Sequence, residues 1–275
     1  MRAKVSELTM QEQFIRKNHK RYQVILLVRI LLLVVFLFLW EISANIGWID
    51  SFFFSSPSRI VTLFTRLCNT HDLLRHIGIT LLETFISFSL VIIISLIVST
   101  LLWVSKSFSA VTEPYLVVLN SLPKSALAPL FIVWLGTGMK TIIVAGISVA
   151  LFGSIISFYT GFQQCEPEKI LLIRTLGGKK RDIFFKVVLP GSLTTLLATS
   201  KVNIGLSLVG VIIGEFLAAR QGLGYLIVYG SQVFQLNLVI TSIIILCVMA
   251  FGFYELVQLI EKHLKKKSWE LIFFP

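Results

Sequence analysis

An all-α membrane protein with six transmembrane helices is the fold class this sequence predicts, on three observations. The composition is too apolar for a soluble globule, apolar runs of bilayer length recur along the chain, and the basic residues gather on one side of those runs. Hydrophobic residues make up 56% of the 275 and charged residues 14%, with a mean hydropathy of +0.87. A soluble domain needs about a quarter of its residues charged to cover its surface. The formal net charge of +11 would suggest nucleic acid in a soluble chain. Here the Lys and Arg residues cluster at the chain ends and in loops, which suits an anionic cytoplasmic membrane face. Membrane lipid is therefore an expected partner and nucleic acid is not.

A helix needs about 20 apolar residues to cross the hydrocarbon core. The first span is predicted from Val24 to Trp40, behind a basic segment with Arg16, Lys17, Lys20 and Arg21. Its long apolar run and the poor cleavage site at Ile42-Ser43-Ala44 favour an uncleaved anchor over a signal peptide. The second span runs from Ile79 to Trp103. The third, from Ser125 to Leu135 with a start as early as Tyr115, is interrupted by Pro123 and Pro129 and is expected to be bent or shortened. The fourth runs from Thr141 to Phe162, the fifth from Leu193 to Ala219 and the sixth from Leu238 to Ile260. Trp40, Trp103 and Trp134 fall at span ends, where amphipathic rings prefer the interface. This divides the chain into a basic N-terminus (1–23), a six-span membrane domain (24–260) with a cytoplasmic loop at about 163–190, and a basic tail (261–275).

With the N-terminus inside, the predicted inside segments hold 17 Lys and Arg and the outside segments five: Arg59, Arg66, Arg75, Lys140 and Arg220. The positive-inside rule thus favours six spans with both ends cytoplasmic, in the cell (inner) membrane. Cys68, Cys165 and Cys247 are odd in number and far apart, so neither a disulfide framework nor a metal site is expected. His19, His71, His76 and His263 form no metal-binding pair and read as surface or interfacial residues. No cofactor is expected.

Two segments stand outside the spans. Ser58 to Leu67, after Pro57, alternates apolar and polar faces and reads as a short helix on the outer surface. Glu166 to Lys186 reads as a helix, a Gly177-Gly178 stop and a second start near Asp182, with Pro167 at the first helical position. Its Ile170, Leu171, Leu172, Ile173 and Leu176 need something to bury against, either the chain's own helices or a partner.

This insert resembles the cytoplasmic signature of bacterial ABC importer permeases, in particular the sulfonate, taurine, nitrate and thiamine-precursor group. The match lies in Arg174-Thr175-Leu176-Gly177 and in Val188-Leu189-Pro190; the family's Glu-Ala-Ala opening is replaced by Leu171-Leu172-Ile173, with Glu168 one turn earlier. Leu122 to Leu130 leading to Trp134-Leu135-Gly136-Thr137-Gly138, and Glu215-Phe216-Leu217-Ala218-Ala219 followed by Gly222-Leu223-Gly224-Tyr225, resemble two further stretches of the same group. Lys201 falls where the family commonly has a basic residue, whereas Glu83 falls where a basic one is expected.

The resemblance implies a type I ABC importer-like permease fold and a pathway for a small solute such as a sulfonate-like anion. It also implies two ATP-binding cassette ATPase subunits, a second permease copy and an extracytoplasmic solute-binding protein as partners. Glu168, Leu171, Leu172, Arg174, Gly177, Leu189 and Pro190 become candidates for ATPase coupling. The chain has no GxxxxGK[ST] phosphate loop, so nucleotide binding falls to a partner and no enzymatic activity is expected.

Ionisable residues within spans are costly and mark function or pairing. Lys201 lies about 12 Å into the fifth span and Glu215 about 21 Å further, so the two cannot pair along one straight helix. Lys201 is expected to meet a backbone carbonyl or line the pathway, and Glu215 to sit at an outer gate or dimer seam. Asn120, Ser121, Asn203 and Ser207 are candidates to touch solute or to bridge helices. Gly205, Gly210 and Gly214 would let another helix approach closely. The rival readings are a stand-alone secondary transporter or channel, which lacks here its usual inverted repeats, and an intramembrane enzyme, for which no HExxH or GxSxG motif appears.

Overall fold

The computed structural model describes residues 10–69 and 72–273, and every regular element among them is helical. In chain order these are α1 (Met10–Ile46), α2 (Ser51–Phe54), α3 (Pro57–Asn69), α4 (Asp72–Val104), α5 (Lys106–Ser121), α6 (Lys124–Leu135) and α7 (Met139–Gln163). They continue with α8 (Pro167–Thr175), α9 (Lys180–Ile183), a π-helical turn (Phe184–Val188), α10 (Leu189–Ala218), α11 (Leu223–Gln232) and α12 (Leu236–Phe273). Five helices are long and apolar enough to span, and the bent pair α5–α6 makes a sixth if counted as one crossing. Residues 1–9 of the basic N-terminus and 274–275 of the tail lie outside the described residues. The tail otherwise continues α12 as helix rather than forming a separate segment.

The core is α7, packed against α10 and α4. Lipid removes the hydrophobic drive between helices, so association rests on close van der Waals packing at small residues. A Cβ added to Gly210 would stand 2.8 Å from Ala145 O and from Gly146 Cα, and one on Gly214 would stand 2.9 Å from Ile142 Cα. The two backbones therefore touch at Gly210 and Gly214, while Gly205 faces open space. On α4 the buried stripe is polar or small (Thr80, Thr84, Ser87, Ser95, Ser99), and Leu82, Phe85, Ile93 and Ile97 point outward. This inverted pattern is what a helix needs when its surroundings are apolar.

Helix α1 is exposed along its whole apolar window and packs chiefly on α2 and α3. Its Glu41 carboxylate accepts the Ser58 amide (3.0 Å) and hydroxyl (2.8 Å), which ties it to the start of the amphipathic helix α3.

The third span departs most from a simple crossing. Its two helices meet at 96°. Pro123 forces Leu122 into extended backbone (φ −63°, ψ 140°), and the helix stops there. Pro129, by contrast, stays inside α6. The carbonyl of Asn120 freed by the break accepts from Lys124 Nζ. At 12 residues α6 is about 18 Å long, too short to cross alone. Helix α5 also takes in residues 106–111, expected as loop.

The fifth span begins earlier than its apolar run. α9, the π-helical turn and α10 form one continuous rod from Lys180 to Ala218. Pro190 sits in the first turn of α10, and the preceding π turn widens the backbone so that the ring and its missing N–H are accommodated without a break.

Candidate functional site

Helix α8 is positioned by its own cap. Gly177 adopts φ +80°, where a Cβ is costly, and its N–H donates to Arg174 O (3.0 Å) while the Gly178 N–H donates to Ile173 O (2.9 Å). This paired arrangement is the Schellman motif. Asp182 then accepts the Lys179 N–H at 2.9 Å and opens α9.

The apolar residues of α8 divide into two faces. Ile170 and Ile173 pack against a cluster of Phe158, Phe162, Ile183, Phe184, Val188 and Leu196, in which Trp103 and Leu189 also take part. Leu171, Leu172 and Leu176 are 60%, 58% and 75% exposed. The insert is thus seated on its own chain through two isoleucines and presents three leucines outward. Arg174 lines a cleft of about 530 Å³ with Lys106 and Lys180, and Glu168 is exposed. Cys165, at the root of the insert, is held above the ordinary thiol range by partial burial.

Lys201, within α10, is paired across to another helix. Its ammonium pairs with the Glu261 carboxylate of α12 and lies 5.7 Å from the centroid of the Tyr254 ring. The pair joins α10 to α12 in the half of the bundle that carries the insert.

At the opposite end, the turn after α6 folds against the end of α10 through the Gly138 N–H and Ala218 O (3.1 Å). Glu215 is 1% exposed. It accepts from Thr80 Oγ1 at 2.6 Å and from the Gly224 N–H at 2.5 Å. Thr80 in turn accepts the Leu223 N–H at 2.9 Å, and His76 Nδ1 accepts the Gly222 N–H at 2.9 Å. One carboxylate, one hydroxyl and one imidazole therefore satisfy the first amides of α11, which burial would otherwise penalise. Gly222 and Gly224 permit this approach, since a Cβ on Gly224 would stand 2.8 Å from the Glu215 side chain and one on Gly222 would overlap its carboxylate. His76, expected at a surface or interface, is half-buried and stacks on Tyr225 at 6.1 Å.

Beside this knot, the carboxyl of Glu83 touches that of Glu215. Glu83 is 2% exposed and lines a cavity of about 560 Å³ between α4, α7 and the end of α10. Thr137, Gly138, Arg220 and Gln221 form its polar wall. Of the remaining sequence candidates, Asn203 donates to Ser154 Oγ at 2.8 Å and bridges α10 to α7, and Asn120 is exposed at the end of α5. Sequence reasoning did not single out Thr80, placed His76 among the surface or interfacial histidines and read Gly222 to Tyr225 only through its resemblance; the roles of Thr80 and His76 depend on contacts between residues more than 130 positions apart.

Residues 91–266 match the family described as binding-protein-dependent transport system inner membrane component. A probable ABC transporter permease protein of Haemophilus influenzae is 29% identical over 230 residues, covering 83% of this chain and 93% of the relative. A putative aliphatic sulfonates transport permease protein of Bacillus subtilis is 27% identical, covering 86% of each chain. A formylaminopyrimidine transport permease protein of Halalkalibacterium halodurans is 28% identical over 71% of this chain and 77% of the relative. Among solved structures, an inward facing conformation of the MetNI methionine ABC transporter has a TM-score of 0.61 at 21% identity, covering 71% of this chain and 95% of that one, a likeness of fold. The bundle is accordingly a type I ABC importer permease fold, and the chain belongs to the family of binding-protein-dependent transport system inner membrane components, the permease subunits of ABC importers.

Proposed function

We propose that two copies of this permease form the translocation pathway for a small solute delivered by an extracytoplasmic binding protein, and that two ATP-binding cassette subunits dock on α8. The observation that carries this reading is the outward ridge of Leu171, Leu172 and Leu176 on a helix anchored from behind. An apolar patch of that kind beyond the apolar spans suits a partner surface. Both termini and α8 lie on the cytoplasmic side in this reading, in keeping with the distribution of Lys and Arg.

The coupling follows from continuity of the backbone. Movement of a docked ATPase pushes α8, and Gly178 leaves no slack, because a Cβ there would stand 2.5 Å from Ile173 Cγ2. The rod from Lys180 to Ala218, about 58 Å long, carries the displacement to the far end of the bundle. There Glu215 and the Gly138–Ala218 contact pass it to α4, α11 and α7.

A single cysteine at position 172 should cross-link to the cognate ATPase in membranes, and uptake into vesicles should require ATP and the binding protein. Uptake that proceeds without an ATPase would make the chain a stand-alone transporter.

A further inference from the structure

We propose that the cleft between the end of α4, the start of α5 and α8 binds the phosphodiester of an anionic phospholipid head group, from the membrane leaflet on the insert side. The inference concerns lipid and stands whether or not an ATPase docks on the leucine ridge.

The cleft, of about 530 Å³, gathers three cations from three elements: Lys106 at the start of α5, Arg174 in the last turn of α8 and Lys180 at the start of α9. No Asp or Glu lines it. Among the described residues none of the three cations is in an ion pair. The nearby acidic residues of the insert are engaged elsewhere, Glu166 with Lys169 at 2.9 Å and Asp182 with Lys186 at 3.7 Å. Like charges converging on one cleft repel, and a bound anion offsets that repulsion. The first turn of α5, capped by Ser105 in the cleft wall, adds the positive end of a helix dipole.

Depth decides which anion fits. The apolar run of α4 ends at Trp103 and Val104, and both line the cleft. A tryptophan there marks the level of the head groups. Val104 and Phe108 are exposed beside the cations and give acyl chains an apolar surface to lie on. Ile170 lines the cleft and, with Ile173, seats α8 on its own chain. The cleft therefore lies on the seated side of α8, and a protein docked on Leu171, Leu172 and Leu176 approaches from the other side.

Charge decides which lipid. The phosphate of phosphatidylcholine is neutralised by its own ammonium, whereas that of phosphatidylglycerol is not. Arg174 offers paired N–H donors to two phosphate oxygens, and the two lysines act as point charges. A phosphate so held ties α8 to α5 and to the rod that begins at Lys180.

The test uses the purified full-length chain in mild detergent, with tail-labelled phosphatidylglycerol as the probe. Unlabelled phosphatidylglycerol should displace the probe, and phosphatidylcholine or millimolar inorganic phosphate should not. Lys106→Ala, Arg174→Ala and Lys180→Ala should each weaken binding about fivefold, the effect of losing one cation near an anionic surface. Lys169→Ala removes the same charge from the outer part of the insert and should change affinity little. Melting curves check folding: phosphatidylglycerol should raise the melting temperature of wild type and leave that of the triple variant unchanged. Equal displacement by phosphatidylcholine, or an equal loss in Lys169→Ala, overturns the site in favour of diffuse adsorption. Displacement by inorganic phosphate overturns the lipid source and leaves a site for free anions. Loss of ATPase co-purification from Lys106→Ala in the absence of anionic lipid overturns it as well, by assigning the cleft to that protein.

Discussion

Thr80 Oγ1 donates to the buried carboxylate of Glu215 at 2.6 Å and accepts the Leu223 N–H at 2.9 Å, so a single hydroxyl joins α4 to α10 and to the first turn of α11. Thr80→Val keeps the shape and removes both bonds. The variant should lose stability on the order of 1–3 kcal/mol, because the Leu223 amide is left buried without an acceptor. Thr80→Ser should stay near wild type. Thermal denaturation of the detergent-purified protein reads the difference, and equal melting of the Val variant and wild type would show that the junction is dispensable.

The two faces of α8 should separate by substitution. Leu172→Asp changes an exposed ridge position and should abolish co-purification of the ATPase while the permease stays folded. Ile173→Asp buries a charge in the Phe158–Phe184 cluster and should lower stability itself. Pull-down and melting curves measured together distinguish a docking loss from a folding loss. The same phenotype for both variants would mean that α8 has no dedicated outer face.

Gly177 has open space around it, so substitution there meets strain only in the backbone. Gly177→Val should cost about 1–2 kcal/mol through its positive φ and misdirect α8. Uptake should fall while membrane insertion is unchanged, and Gly177→Asn, which tolerates that conformation, should recover much of the activity. Normal transport by the Val variant would remove the cap from the coupling route.

Lys201 and Glu261 should behave as a coupled pair between α10 and α12. Lys201→Ala and Glu261→Ala should each destabilise the purified protein, and the double variant should be less destabilised than their sum. Additive losses in that double-mutant cycle would show that the ion pair contributes nothing by itself.

Orientation is read by thiol labelling in a cysteine-free background. Cysteines at Thr137 and Gln221, on the cavity end of the bundle, should react from outside intact cells with an impermeant maleimide, and one at Lys180 on the insert should not. Labelling of position 180 alone would invert the proposed topology.

Six apolar runs, the helical insert with its glycine stop and the polar residues of the spans were legible in the sequence by itself. Each is a local property: span length is set by bilayer thickness, and Gly177 ends α8 because only glycine takes that φ freely. The break at Pro123 was also legible, although its 96° angle was not, because a proline dictates where a helix stops and its neighbours dictate where the chain goes next. Only the tertiary structure decided that Lys201 is held by Glu261, that Ile170 and Ile173 turn inward while the leucines of α8 turn out, and that Glu83, Glu215, Thr80 and His76 meet at one buried knot. Those partners come from helices far apart in sequence. Inside a lipid-facing bundle almost every position is apolar or small, so periodicity does not say which face of a helix meets which neighbour; close packing at Gly210 and Gly214 makes that choice.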